Sequence, residues 1–254
     1  MLALRNRMAS RRALVHTVGQ FRMELDLDLL IDNAIYYMGT WEPEVVAAIH
    51  RTLRPGGVAV DVGAHSGFMT LHMAHQVGPT GRVLAFEPTS WAYERLTTNV
   101  ELNGFHQVTA RRAGLSDAPA ATASTLVPTS YPLVGERPHV LDSLVIETLD
   151  AVCTAEGLER LDFVKCDTDG WEAHVMRGAR ETLRRFRPVV LFEVNPTGLA
   201  ERGETVAGLV DLVRDLGYGL YDAATQQPLR DVAAAADRLS GHHDLDVLAL
   251  PEPV

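Results

Sequence analysis

Short apolar runs that are typical of strands alternate with helical stretches along most of this chain. Strands are predicted at 58–62, 82–87, 107–112, 161–167, 187–194, 218–222 and 245–250, and helices at 68–77, 90–103, 172–185 and 204–216. Strands and helices that alternate at such short spacing indicate a parallel sheet covered by helices on both faces. The sequence therefore predicts an α/β fold built around one mostly parallel sheet.

Two segments fall outside this alternation. Residues 1–50 are expected to form a helical segment that covers one end of the sheet, ahead of a main domain spanning residues 51–254. Residues 115–149 are rich in proline, serine, threonine and alanine, and they interrupt the alternation. We expect this stretch to be a loop or lid insertion rather than a linker, because it interrupts a single sheet.

Charge and composition narrow the possible partners and compartments. Acidic residues outnumber basic ones 33 to 23, and the net charge of −10 disfavours binding to a nucleic acid backbone. Apolar runs fall far short of the roughly 18 residues of a membrane span, and a secretory signal is not supported. Cys153 and Cys166 make no disulfide framework. We therefore expect a cytoplasmic protein with no membrane or nucleic acid partner; a homodimer is expected only from the general tendency of proteins.

The turn after the first predicted strand indicates the kind of ligand. It reads Asp61-Val-Gly63-Ala-His-Ser-Gly67, with glycines where the backbone must turn tightly and approach a ligand at a helix amino terminus. This is not the Gly-x-Gly-x-x-Gly pattern of dinucleotide-binding proteins. The carboxylate of Asp61 disfavours a phosphate at this turn and favours a cationic ligand.

A second carboxylate follows the next strand. Glu87 lies where a side chain accepts two hydrogen bonds from a ribose diol. Asp61 and Glu87 together suit a nucleoside with a positive charge and no phosphates, such as S-adenosylmethionine. The hydroxyls of Ser66 and Thr70 suit its carboxylate at the helix amino terminus. Asp117, after the third strand, is either a ligand of the adenine amino group or a turn cap.

Several stretches in the order and spacing found here resemble the FkbM-type methyltransferases, a class I family that uses S-adenosylmethionine. The resemblance rests on Gly39–Glu42, Val60–Phe68 with Thr70, Gly78–Pro88, Asn99–Gly104, Leu115–Asp117, Asp162–Asp167 through Gly170 and Glu172, and Arg187–Glu193. It implies a Rossmann-like, seven-stranded sheet with the last strand antiparallel. It also implies O-methylation of a small hydroxylated acceptor, such as a sugar or polyketide, in secondary metabolite biosynthesis.

The resemblance also bears on individual residues. Tyr37 and Glu42 correspond to an amino-terminal segment that covers the methionine end of the cofactor, although aromatic residues there are equally typical of a core. His65 stands where the family usually has asparagine, which leaves cofactor binding intact if the backbone makes the contacts. Near the acceptor pocket, Asp169 occupies a position where the family usually has glutamate, and Trp171 one where it usually has alanine. The identity of the family's acceptor is therefore not transferred to this chain.

Methyl transfer to an alcohol needs a base or a metal, because a neutral hydroxyl is a poor nucleophile. Candidate catalytic residues are Asp167, Asp169 and His174, close to the end of the fourth strand. By resemblance to some class I O-methyltransferases, Asp167, Glu193 and Asn195 are candidate ligands of Mg²⁺. The alternatives are that Asp167 bonds the cofactor or substrate directly and that Glu193 pairs with a basic residue such as Lys165. His174 could equally be a surface or packing residue without a catalytic role.

Two other functional classes remain open from the sequence. An NAD-dependent oxidoreductase is disfavoured by the missing third glycine of the dinucleotide fingerprint. A non-catalytic cofactor-binding scaffold would keep the nucleoside pocket and lose the acceptor site.

Overall fold

The computed structural model describes residues 14–127, 139–239 and 244–253, and its centre is a seven-stranded sheet. The strands are β3 (Val58–Val62), β4 (Arg82–Phe86), β5 (Val108–Arg111), β9 (Phe163–Cys166), β10 (Val189–Val194), β11 (Tyr218–Asp222) and β12 (Leu245–Pro251). Their order is β11-β12-β10-β9-β3-β4-β5. β12 runs in the direction opposite to the other six strands of this sheet. The predicted α/β fold with an antiparallel last strand is confirmed.

Ten helices are found in the described residues. They are α1 (Leu30–Met38), α2 (Pro43–Thr52), α3 (Phe68–Val77), α4 (Ser90–Leu102), α5 (Leu149–Ala155), α6 (Glu172–Arg177), α7 (Arg180–Phe186), α8 (Pro196–Glu201), α9 (Val206–Asp215) and α10 (Val232–Leu239). Adjacent side chains of the central strands enter different apolar cores, since Val60 packs in one and Ala59 in the other. Burial on both faces explains why these strands read as continuous apolar runs.

Strand order reverses at β3, which has β9 on one side and β4 on the other. In an open parallel sheet, the carboxyl ends of the strands beside such a reversal border a ligand crevice. The turns after β3, β4, β9 and β10 all lie at this edge. The topology therefore brings the acidic residues predicted at separate strand ends to one side of the sheet.

The amino-terminal segment is not helical throughout, and the expectation for residues 1–50 is wrong in its first described part. β1 (Leu14–Val18) and β2 (Phe21–Leu25) form an antiparallel hairpin before the first helix. Phe21, Met23 and Leu25 are buried while the residues between them are more exposed, which is the two-residue period of a strand. Residues 1–13 lie outside the described residues.

The expected loop at 115–149 contains a second sheet. β6 (Gly114–Leu115), β7 (Ala120–Val127) and β8 (His139–Glu147) pair in the order β6-β8-β7, with β7 and β8 antiparallel. Residues 128–138 lie outside the described residues. Alanine and threonine in β7 lack the large apolar side chains that mark a buried strand, so composition alone favoured a loop.

The single helix predicted at 172–185 is two helices, α6 and α7. Helix α6 ends before Gly178, where a Cβ atom would lie 2.0 Å from the carbonyl oxygen of Ser116. Gly178 therefore allows the end of α6 to approach the chain after β6. That contact is between distant parts of the sequence, and periodicity does not report it.

Candidate active site

The turn between β3 and α3 needs its two glycines for contacts within the protein. Gly63 has φ of +81°, and a Cβ atom there would lie 1.8 Å from the carbonyl oxygen of Asp167. Gly67 has φ of +91°, and a Cβ atom would lie 2.8 Å from the Leu96 side chain on α4. Gly63 thus brings the ends of β3 and β9 together, and Gly67 lets α3 begin against α4.

Asp61 lies beneath this turn and is fully buried. Its Oδ2 accepts a hydrogen bond of 2.5 Å from the Thr70 hydroxyl, and it is the register partner of Lys165 on β9. Burial raises the pKa of Asp61, whereas the Lys165 charge and the Thr70 bond oppose that rise. The Thr70 hydroxyl is therefore donated to Asp61, and Lys165 already supplies a positive charge beside it.

Glu87 follows β4 and joins the turn directly. Its Oε2 accepts from the backbone N–H of His65 at 2.9 Å, and its Oε1 accepts from the N–H of Thr89 at 2.9 Å. Burial raises the pKa of Glu87, and these bonds lower it. The structure therefore brings together Glu87 and the glycine turn, which the sequence predicted as two parts of one site.

His65 occupies the turn with a partly buried, neutral ring. Burial and the positive charge of Arg95 lower the pKa of His65 to about 4. The ring packs edge-on against Trp91, with centroids 5.1 Å apart. Its Nε2 atom is buried and accepts or donates no hydrogen bond among the described residues. His65 therefore keeps an unused polar atom in the turn.

A group of carboxylates surrounds the buried ammonium of Lys165 on the other side of β3. Lys165 Nζ lies 2.8 Å from Asp167 Oδ2. Burial alone would lower the pKa of Lys165, but Asp167, Asp61 and Glu42 outweigh it and raise that pKa. Burial and the charge of Asp167 raise the pKa of Glu42 to about 7. The ammonium of Lys165 therefore stays protonated at neutral pH. Its ion-pair partner is Asp167 and not Glu193.

Two further acids lie at the same edge. Glu193 on β10 and Asp246 on β12 are register partners. Burial, followed by neighbouring negative charges that include Asp167, raises the pKa of each well above its usual range. Asp246 was not predicted, although an acidic residue inside an apolar strand is a signal that sequence reading could have used. Lys165, the single lysine of the chain, gave the same signal within β9.

The turn after β9 is shaped by a fully buried carboxylate. Glu172 Oε1 accepts from the backbone N–H of Thr168 at 2.8 Å and of Gly170 at 3.4 Å. Asp169, between them, has φ of +52°. The surrounding protein and the charges of Asp167 and Asp244 raise the pKa of Asp169 to about 6. Asp167 and Asp169 are therefore neighbours on one constrained turn.

Three other predicted site residues have contacts of a different kind. His174 Nε2 lies 3.6 Å from Glu204 Oε1, and Asp117 Oδ2 accepts from Arg177 Nε at 3.4 Å. Arg177 also bonds Glu204, so His174 and Asp117 contact one surface ion-pair network. Tyr37 is 72% exposed, and its ring packs against Tyr36. Asp117 therefore pairs with Arg177, and a role for it towards the adenine group stays a prediction.

The predicted Mg²⁺ ligands do not fit a metal ion. Asn195 Oδ1 accepts from the Gly198 N–H at 2.7 Å as the cap of α8, and its Nδ2 donates to Asp244. Within the described residues, no three histidine, cysteine, aspartate or glutamate side chains are placed to hold a metal. The described residues therefore give no support to the predicted Mg²⁺ site.

No helix in the described part of the chain has the length and apolar character needed to cross a membrane.

Comparison with known proteins identifies the family. The Methyltransferase FkbM domain matches residues 61–220, more than half of the chain. The chain is 29% identical over 200 residues to the methyltransferase sdnD of Sordaria araneosa, covering 63% of this chain and 73% of that protein. It is 28% identical over 228 residues to the AMB antimetabolite synthetase AmbE of Pseudomonas aeruginosa, covering 74% of this chain and 10% of that protein.

Among solved structures, a putative rRNA-methylase from Clostridium thermocellum is similar in fold, with a TM-score of 0.50 and 12% identity. The alignment covers 84% of this chain and 96% of that one. At this identity the likeness concerns the fold alone. Because the family match spans the crevice and most of the sheet, the chain belongs to the FkbM methyltransferase family.

Proposed function

We propose that this chain transfers a methyl group from S-adenosylmethionine to a hydroxyl of a small-molecule acceptor. The observation that carries the proposal is the bond of 2.9 Å between Glu87 and the His65 N–H. It joins the glycine turn to a carboxylate at the point where strand order reverses, which is where an α/β sheet binds a nucleoside. Membership of a methyltransferase family supplies the class of reaction.

The residues at this edge fit the cofactor. The carboxylate of Glu87 is suited to a ribose diol. Buried atoms without a hydrogen bond among the described residues, Asp61 Oδ1 and His65 Nε2, are available to a polar ligand. The surplus of carboxylates over the single Lys165 ammonium favours a sulfonium and disfavours a pyrophosphate. When bound, S-adenosylmethionine would supply the electrophilic methyl group.

The acceptor end of the proposed site is the turn that carries Asp167 and Asp169. Lys165 holds Asp167 at 2.8 Å, so this carboxylate is a fixed hydrogen-bond acceptor that can orient a hydroxyl. Asp169 can accept the hydroxyl proton, because its pKa of about 6 lies close to neutral pH. As the acceptor oxygen bonds the methyl carbon and the carbon–sulfur bond breaks, the hydroxyl proton passes to Asp169 and then to water.

The test combines binding with transfer. Calorimetry should show that the chain binds S-adenosylmethionine, and Glu87→Gln should weaken binding by about 1–2 kcal/mol through lost hydrogen bonds. Glu101→Gln, on the exposed side of α4, is the matched control and should leave affinity unchanged. Isotope-labelled cofactor and a panel of hydroxylated acceptors should then yield a labelled product.

Each alternative gives a distinct result in the same experiments. Binding of the cofactor without transfer to any acceptor would support a non-catalytic scaffold. Binding of NADH in place of S-adenosylmethionine would support an oxidoreductase. Wild-type affinity in Glu87→Gln would remove Glu87 from the site even if methyl transfer is observed.

A further inference from the structure

A buried carboxylate from the amino-terminal segment reaches the turn after β3. Asp32 lies on α1 and is fully buried. Its Oδ1 accepts a hydrogen bond of 3.2 Å from the Ser66 hydroxyl, and its Oδ2 accepts one of 2.7 Å from the Asp26 N–H. The α1 helix is therefore bonded to the same turn whose backbone contacts Glu87.

Ser66 is held at a second atom by α4. Asn99 Nδ2 donates to the Ser66 carbonyl oxygen at 2.7 Å, and Asn99 Oδ1 accepts from the Glu24 N–H at 2.6 Å. Asn99 therefore bridges the β1–β2 hairpin and the turn. With its hydroxyl bonded to Asp32 and its carbonyl bonded to Asn99, Ser66 has little freedom to rotate.

Arg95 connects the same contacts to His65. Its guanidinium lies 3.0 Å from Asp26 and 3.8 Å from Asp32. It also lies over the Trp91 ring, which packs against His65. One cation thus contacts the carboxylates of the amino-terminal segment and the aromatic wall of the turn.

A carboxylate in this position is not explained by packing alone. Burial raises the pKa of Asp32 to about 6, even though the Asp26 N–H, Arg95 and Ser66 all favour its charged form. Removing a charge from water costs free energy, and apolar residues of similar size are often at least as stabilising. Residues that break the general pattern of a core in this way are expected at functional sites.

We propose that Asp32 is a positioning residue for the cofactor, acting through Ser66 on the turn that presents the His65 N–H to Glu87. The inference rests on the proposed function. It makes the amino-terminal segment part of the cofactor site without direct contact between Asp32 and the cofactor. Loss of the Asp32 acceptor would free Ser66 and loosen the turn, so cofactor affinity would fall while the fold is retained.

The experiment is a double-mutant cycle with S-adenosylhomocysteine as the calorimetric probe. Asp32→Asn and Asp32→Ala should each weaken binding about 5- to 10-fold, an effect that falls below about twofold when Ser66 is already alanine. Thermal unfolding of every variant, measured without the probe, separates a loss of affinity from a loss of fold. Asn33→Ala is the matched control, because this neighbour on α1 bonds the Leu27 carbonyl and should keep wild-type affinity.

Either of two results would overturn the inference. One is a drop in melting temperature for Asp32→Asn with unchanged affinity, since a purely structural role predicts that. The other is an equal loss of probe affinity on Asp32→Asn whether residue 66 is serine or alanine, since the effect of Asp32 would then not act through Ser66. Failure of the wild-type protein to bind the probe is a separate outcome, which would contradict the proposed function itself.

Discussion

The ammonium of Lys165 lies 2.8 Å from the carboxylate of Asp167, two residues further along the chain. Successive side chains of a strand point to opposite faces, so this spacing places both groups on one face of the sheet. Lys165 is also the register partner of Asp61, and the carboxylates of Asp61 and Glu42 help to raise its pKa. A single buried cation therefore holds together three elements that border the crevice.

Replacement of Lys165 by methionine should destabilise the protein by about 3 kcal/mol, because removal of one partner leaves buried carboxylates without a counter-charge. Urea unfolding at pH 7 measures the change. Arg184→Met is the control, since its pair with Glu181 is exposed and should contribute less than about 1 kcal/mol. Equal free energies of unfolding for the two variants would show that the buried pair stabilises the protein no more than the exposed one.

Alanine at Gly63 should destabilise the fold by about 3 kcal/mol or more, because its Cβ would occupy the position of the Asp167 carbonyl oxygen. The variant Gly203→Ala separates steric overlap of the new Cβ from backbone strain at a positive φ. Gly203 has a similar φ of +76°, and a Cβ atom there would have no described atom within 4 Å, so only backbone strain of about 1 kcal/mol is expected. Denaturant midpoints that fall equally in both variants would refute the steric explanation.

Glu42 should make the protein less stable as the pH rises through neutrality. Its pKa is about 7 in the folded protein against 4.5 ordinarily, so the folded state holds this proton more tightly. That contribution is complete below pH 4.5 and is lost as the pH rises through about 7. Urea midpoints at pH 5 and pH 8 should therefore differ less in Glu42→Gln than in the wild type. Glu101→Gln, with an exposed side chain, should keep the wild-type difference.

His72 should contribute to unfolding in acid. Burial and the nearby His50 and His75 lower its pKa to about 4, and its Nδ1 lies 3.0 Å from His50 Nε2. The neutral form is favoured in the folded protein, so its stabilising contribution is complete above pH 6.5 and is lost as the pH falls towards 4.

The comparison variant for this effect is His72→Gln, which should lose less stability than the wild type between pH 7 and pH 4.5. His106→Gln, at an exposed position, should behave like the wild type. If His72→Gln and the wild type show the same acid dependence in denaturant titrations, His72 does not titrate as described.

Sequence patterns predicted the central sheet closely. The strand at 58–62 and the helix at 68–77 have the predicted bounds, since continuous apolar runs and flanking glycines report burial on two faces. The hairpin at 14–25 and the strands within 115–149 were missed. Residues 21–25 alternate between apolar and polar types and β7 is rich in alanine and threonine, so these segments lack the continuous apolar run of a strand buried on both faces.

The candidate site, like the fold, was predicted in part. Asp61 and Gly63 lie at the end of β3 and Glu87 follows β4, and parallel topology alone was enough to predict that they lie near one another. The ligand set for Mg²⁺ is not supported by the described residues, and nothing local in the sequence shows that Asn195 caps a helix. Asp32 was missed because its partner Ser66 is 34 residues away, on a different element.

The order of apolar runs and turns in this chain determined its strands, its helices and the edge of the sheet where ligands bind, because hydrophobic periodicity and glycine turns are local properties. Tertiary structure decided which acids pair with Lys165, which hydroxyls are already committed to carboxylates, and how the amino-terminal segment reaches the turn. Those outcomes depend on burial and on distances between remote residues, and they set the charge of each group only once the chain has folded.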